Sequence, residues 1–198
     1  MLRQAVAEEA ARIMAEQGID DFLFAKRKAA ERLGVLDVSI LPRNTEIESA
    51  LFARRRLFSD GRHERALAGL RRAALEAMRL VAEFEPRLVG PVLTGTASPH
   101  SDINLHLFSE SAEAVSLRLE DRGVPHETLE RRLRFERDRS TSYPAFRFVA
   151  GDQAVDAVVF PLDGIRQSPS SPVDGKPMRR ATAAEVAALI PSQVNAPA

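Results

Sequence analysis

From Gly90 to Leu105 the chain reads Gly-Pro-Val-Leu-Thr-Gly-Thr-Ala-Ser-Pro-His-Ser-Asp-Ile-Asn-Leu, a hydroxyl-rich glycine turn that runs into alternating polar and apolar residues. The alternation of Asp102-Ile103-Asn104-Leu105-His106-Leu107-Phe108 predicts a strand, and side chains two apart on a strand share a face. Asp102 and Asn104 therefore project together, with Ile103, Leu105 and Leu107 on the other side. A further acid, Asp156, stands in a second alternating run, Val155-Asp156-Ala157-Val158-Val159. Taken singly, Asp102 reads equally as a strand-entry residue and Asp156 as a hydrogen-bonded acid of an edge strand. His106 shares the face of Asp102 and Asn104, where a half-buried, hydrogen-bonded imidazole is the simpler reading than a metal ligand.

Several chemistries are excluded by what the sequence lacks. Gly90-x-x-x-x-Gly95 is followed by Thr96-Ala97 rather than by Lys and a hydroxyl residue, so it is no P-loop. There is no Gly-x-Ser-x-Gly elbow and no His-x-His or His-Glu-x-x-His spacing. With no cysteine, disulfides, thiolate catalysis, zinc–cysteine sites and iron–sulfur clusters are ruled out.

The elements that must position these residues are legible from periodicity and caps. Leu2, Val6, Ala10, Ile13 and Met14 recur at helical spacing up to Gln17, with Gly18 as the stop. A second helix runs from Phe22 to Leu33, capped by Asp20 or Asp21 and ended by Gly34. Thr45-Glu46-Ile47-Glu48 reads as a capping box opening a third helix, and Ser59-Asp60-Gly61 breaks the chain. A fourth helix carries Leu67, Leu70, Ala74, Met78 and Val81 on one stripe until Pro86, with Arg71-Arg72 off the stripe and therefore read as solvated. Arg87 to Gly90 reads as a short strand, Ser111 to Arg122 as a helix, and Val124 to Phe135 as extended or mixed. Ala145 to Val149 and Ala154 to Phe160 flank Gly151 as a hairpin. From Ser168 to Pro177 the chain is Pro- and Ser-rich without periodicity, Thr182 to Glu185 is a second capping box, and Asn195 to Ala198 should fray.

Gly90, Gly95, Thr96, Pro99, Ser101, Asp102, Ile103 and Leu105, with the preceding helix and strand and the later Asp156 hairpin, resemble the signature of the DNA polymerase beta-type nucleotidyltransferase superfamily. The resemblance spans roughly residues 67 to 160. It implies an α+β fold, a helical N-terminal half packed on a small mixed β-sheet of nucleotidyltransferase type. It divides the chain into a helical region (1–60), a nucleotidyltransferase-like domain (61–163) and an irregular tail with a short helix (164–198). It further implies transfer of a nucleoside monophosphate from a nucleoside triphosphate to an acceptor the sequence does not name. Asp102, Asn104 and Asp156 would be the catalytic group, Asp102 and Asp156 the magnesium ligands, and Gly90, Gly95, Thr96 and Ser101 the phosphate-binding turn. Two departures fall on those parts. Position 104 is Asn where the family has its second carboxylate, and position 91 is Pro where it has Ser, so both the metal and the phosphate grip are reduced.

Two other classes of function stay open beside transfer. One is a non-catalytic binding or regulatory module on the same scaffold; the other is a helix-turn-helix DNA binder built on residues 1–34, whose second helix carries Lys26, Arg27 and Lys28. The 198 residues hold 28 Lys and Arg against 28 Asp and Glu, so no whole-chain field draws in nucleic acid or an acidic membrane. The absence of tryptophan and the single tyrosine argue against a base-stacking platform. The acid-containing start lacks an apolar signal core and no run approaches a membrane span, which leads to the expectation of a cytoplasmic protein.

Overall fold

The computed structural model describes residues 1–19, 21–58, 61–136 and 139–191. Asp20, Ser59-Asp60 and Asn195–Ala198, which carry three of the expectations above, lie outside the described residues. The fold is α+β, with seven α-helices and one five-stranded mixed sheet among the described residues.

The N-terminal half is helical. Helix α1 (Leu2–Gln17) ends on Gly18 at φ 64°, in the left-handed region that an L side chain enters only with strain. Helix α2 (Phe22–Arg32) is capped by Asp21, whose carboxylate accepts from the N–H groups of Leu23 and Phe24 at 2.8 and 3.1 Å. Helix α3 (Asn44–Phe58) starts two residues earlier than the Thr45–Glu48 box requires. The reason is local: the Glu46 carboxylate accepts from the Arg43 N–H at 2.6 Å, so Glu46, not Glu48, closes the first turn. Val6, Ala10, Ile13, Ala25, Ala29, Ile47 and Leu51 form one apolar cluster among these three helices.

Helix α4 (Arg62–Leu80) buries its stripe of Leu70, Ala74, Ala77 and Met78 in the main core. Strand β1 (Arg87–Val89), short helix α5 (Gly90–Thr94), β2 (Ile103–Phe108), helix α6 (Ala112–Asp121), β3 (His126–Glu136), β4 (Arg139–Ala150) and β5 (Gln153–Phe160) follow. The spatial order is β1-β2-β5-β4-β3, in which β2 and β5 are parallel and the other neighbours antiparallel. Residues 126–135 are thus fully extended, and the β4–β5 hairpin turns at Gly151. Ile103, Leu105, Leu107, Val155, Ala157 and Val159 are at most 3% exposed in the core with α4 and α6. Each of the Ile, Leu and Val side chains contributes roughly 1.5–3 kcal/mol by leaving water.

Arg71 is not solvated as its place off the stripe suggests. Its guanidinium donates to the carbonyl oxygens of Val92, Leu93 and Leu189, joining α4 to α5 and to the end of helix α7 (Ala183–Ala188). Carbonyls at helix C-termini lack intrahelical partners, and an arginine fork can serve more than one of them. Helix α7 opens with the Thr182–Glu185 capping box. Ala181 exchanges two backbone hydrogen bonds with Leu88 at 2.8 and 2.9 Å, which fastens the tail to the sheet edge. Between Ser168 and Pro177 there is only an isolated bridge, Ser170 to Pro177, with no helix or strand.

Candidate functional site

The core face of the sheet is covered by helices, while its other face looks into a cleft of about 570 Å³. Three parts of the chain wall it. Met14, Phe22, Glu48 and Leu51 come from the helical hairpin and α3; Gly90, Pro91, Thr94 and Thr96 from the β1–β2 connection; and Pro172, Val173, Asp174 and Met178 from the tail. Asn44 ties roof to tail by donating to the Pro172 carbonyl at 2.6 Å. The floor holds Asp102, Asn104, His106, Arg131 and Asp156.

Of the residues singled out in the sequence, Asp102, Asn104, Asp156, Gly90 and Thr96 line this one cleft. Asn104 and Asp156 are direct partners across the parallel β2–β5 pair, so they share a face, and Asp102 lies two residues before Asn104. Gly95, between the lining residues Thr94 and Thr96, and Ser101 do not themselves line it. Gly95 ends α5 at φ 88°, and Ser101, 2% exposed, uses its hydroxyl to accept from the Ser98 N–H at 2.9 Å. Gly90 has two reasons to be glycine: its φ is 71°, and a Cβ there would meet the Asn104 amide nitrogen at 3.3 Å.

The glycine turn is spent on itself. The N–H groups of Gly95, Thr96 and Ala97 all donate to the Pro91 carbonyl, at 2.9, 3.0 and 3.1 Å. Pro91 fits the first turn of α5 without loss, because an N–H there has no helical acceptor. The Thr94 and Thr96 hydroxyls bond each other at 3.0 Å.

The acids are equally engaged. Arg131 on β3 forks onto Asp156, with Nε 3.0 Å from one oxygen and 3.3 Å from the other, and Nη2 on the nearer oxygen as well. Arg147 on β4 donates to Asp102 at 2.9 Å. Asp156 is 6% exposed, so its charge depends on that fork, whereas Asp102 and Arg147 are both partly open to water. Hydrogen bonding to Asp156 raises the Arg131 pKa further above its ordinary value, so the guanidinium is charged throughout the working range. Asn104 turns its Nδ2 to the Asp102 backbone carbonyl at 3.3 Å, a donation a carboxylate cannot make. The donor set therefore does not fit magnesium: two acids already hold guanidinium groups and the third group is neutral. Among the described residues no cluster of three His, Cys, Asp or Glu is placed to hold a metal.

At the far end of the same face, charge is handled differently. His106 is 3% exposed; its Nδ1 accepts from Arg180 Nε at 3.0 Å, which puts the imidazole proton on Nε2. Burial first, and the Arg180 charge second, lower the His106 pKa from 6.5 to about 3, so the ring is neutral. Arg180 also donates to the Gly164 and Ile165 carbonyls and lies over the rings of Phe108 and Phe160 at 4.9 and 5.0 Å. Its buried Nη2 has no hydrogen-bond partner among the described residues.

Arg131, Arg147 and Arg180 are the residues that sequence reasoning missed. The first had a signal: Leu129, Arg131, Leu133 and Phe135 alternate on one strand face, and a lone charge on an otherwise apolar face needs a partner. No family model matches the chain, and no curated protein or solved structure matches it. No helix among the described residues is long and apolar enough to cross a membrane.

Proposed function

We propose that the chain is a non-catalytic binding module of nucleotidyltransferase type, acting in the cytoplasm, whose cleft receives a nucleotide-sized ligand without magnesium-dependent transfer. The observation that carries this reading is that Asp102 and Asp156 each hold an arginine. The self-bonded turn at Pro91 supports it, since a triphosphate would find the N–H groups of Gly95, Thr96 and Ala97 already engaged. Size supports it too: about 570 Å³ suits a nucleoside or a molecule like it, and Phe22, Leu51, Leu133 and Met178 offer apolar walls to a base.

The second reading is transfer of a nucleoside monophosphate to an acceptor with magnesium on Asp102 and Asp156 and Asn104 assisting. What favours it is the shared face of Asn104 and Asp156 with Gly90 against Asn104. Calorimetric titration of the four nucleosides and their triphosphates, with and without magnesium, paired with a pyrophosphate-release assay, separates the two. The binding module takes up at least one nucleoside or nucleotide equally well in either condition and releases no pyrophosphate. Magnesium-dependent pyrophosphate release establishes the enzyme, and a failure of every compound to bind removes the nucleotide from the proposal.

A further inference from the structure

We propose that Arg131 and Arg147 are the resident cations of this cleft, holding Asp102 and Asp156 where a divalent metal would otherwise sit and thereby keeping a metal out. The inference rests on the reading of the cleft as a site of nucleotidyltransferase type, and it assigns the two arginines a role in deciding what that site accepts.

Strand register delivers them. Arg147 is the direct partner of Asp156 across β4–β5, yet its guanidinium passes on to Asp102. Asp156 is taken instead by Arg131, which reaches over from β3, one strand further out. Both arginines therefore lie on the cleft face, where their strand neighbours Leu129, Leu133 and Ala145 are apolar. An arginine fork on a buried carboxylate is planar, matched in geometry and charged at any working pH, so the pairing with Asp156 is not easily traded for water.

Charge arithmetic points the same way. Two acids and two guanidinium groups leave the floor neutral, and the remaining candidate ligand, Asn104, adds none. A divalent cation that approached either acid would meet a guanidinium within hydrogen-bond reach of the same oxygens, and the two positive groups would compete at close range. Asn at position 104 belongs to this arrangement: its Nδ2 serves the Asp102 carbonyl, whereas a third acid would leave the floor with uncompensated negative charge.

The test needs no nucleotide, so its outcome is independent of whether the cleft binds one. Manganese(II) is titrated into the full chain and free ion is read by electron paramagnetic resonance, with magnesium as competitor. The unmodified protein should show no site, and Arg131→Gln/Arg147→Gln should bind manganese at least about tenfold more tightly. Arg131→Lys/Arg147→Lys, which keeps the charges, should behave as the unmodified protein. Circular dichroism verifies folding. Should the double glutamine variant not fold, Arg147→Gln alone must still gain binding, because both members of its pair are partly exposed. Equal manganese affinity in the unmodified protein and a folded glutamine variant overturns the proposal, whether both bind or neither does. So does a lysine variant that binds as the glutamine variant does.

Discussion

The two ends of the cleft face treat charge in opposite ways. At one end every charge on the floor meets its opposite: Asp102 with Arg147 and Asp156 with Arg131. At the other, Arg180 enters a setting of Phe108, Phe160 and neutral His106 with no acid among the described residues bonded to it, and its charge is spread over an imidazole nitrogen, two carbonyls and two rings. Burial lowers the Arg180 pKa to about 10, helped by Arg87 nearby, yet the group stays protonated at neutral pH. The first end is a set of closed ion pairs on the floor of the cleft. The second is a fastening, by which the tail is held to the sheet.

The comparison breaks first at its aromatic end. Phe160, 1% exposed, packs at a tilt against His106 and Tyr143 with ring centres 4.6 Å away in both cases. Phe160→Ala should cost about 4 kcal/mol in chemical denaturation, from lost burial and the cavity left behind. Arg131→Ala should follow at roughly 3 kcal/mol, because it strands the buried Asp156 charge, and Arg131→Ala/Asp156→Asn should recover much of that loss.

Comparable to the second of these is a pH dependence. His106 titrates near 6.5 when unfolded and at about 3 when folded, so between those values the unfolded chain holds more protons. Stability from this group is fully present above pH 6.5 and falls as the pH drops toward 3, by up to about 1.4 kcal/mol per unit. His106→Gln should flatten that part of the profile in urea titrations from pH 7 to 4. Arg147→Gln should be the mildest change, under about 1 kcal/mol, since both members of its pair are partly exposed. A loss several times larger would show that the Arg147–Asp102 pair also holds the strand ends together.

The core face was legible because it is written in period two and period 3.6: Ile103, Leu105 and Leu107 meet the α4 stripe of Leu70, Ala74 and Met78 as their spacing predicts. The convergence of Asp102, Asn104 and Asp156 was legible for the same reason, through alternation on two neighbouring strands. What spacing does not carry is the diagonal reach of a long side chain. Arg131 passes over β4 to Asp156, so its partner lies 25 positions away in sequence and two strands away in space. Nor does a Thr-x-x-Glu pattern say which glutamate closes the turn, and at α3 the preceding Arg43 N–H decided for Glu46. The conformation of the glycine turn depended on one carbonyl, that of Pro91, drawing in three successive N–H groups. A proline named for the hydroxyl and donor it removes turned out to matter through the acceptor it keeps.

The central claim is that guanidinium groups, not a metal, answer the acids of this cleft. A crystal structure of the full chain grown with excess manganese, with anomalous data collected at the manganese edge, tests it most directly. The account predicts no anomalous peak between Asp102, Asn104 and Asp156, with Arg131 and Arg147 still on their carboxylates. A manganese ion bound to both carboxylates, with the arginines swung away, would contradict it.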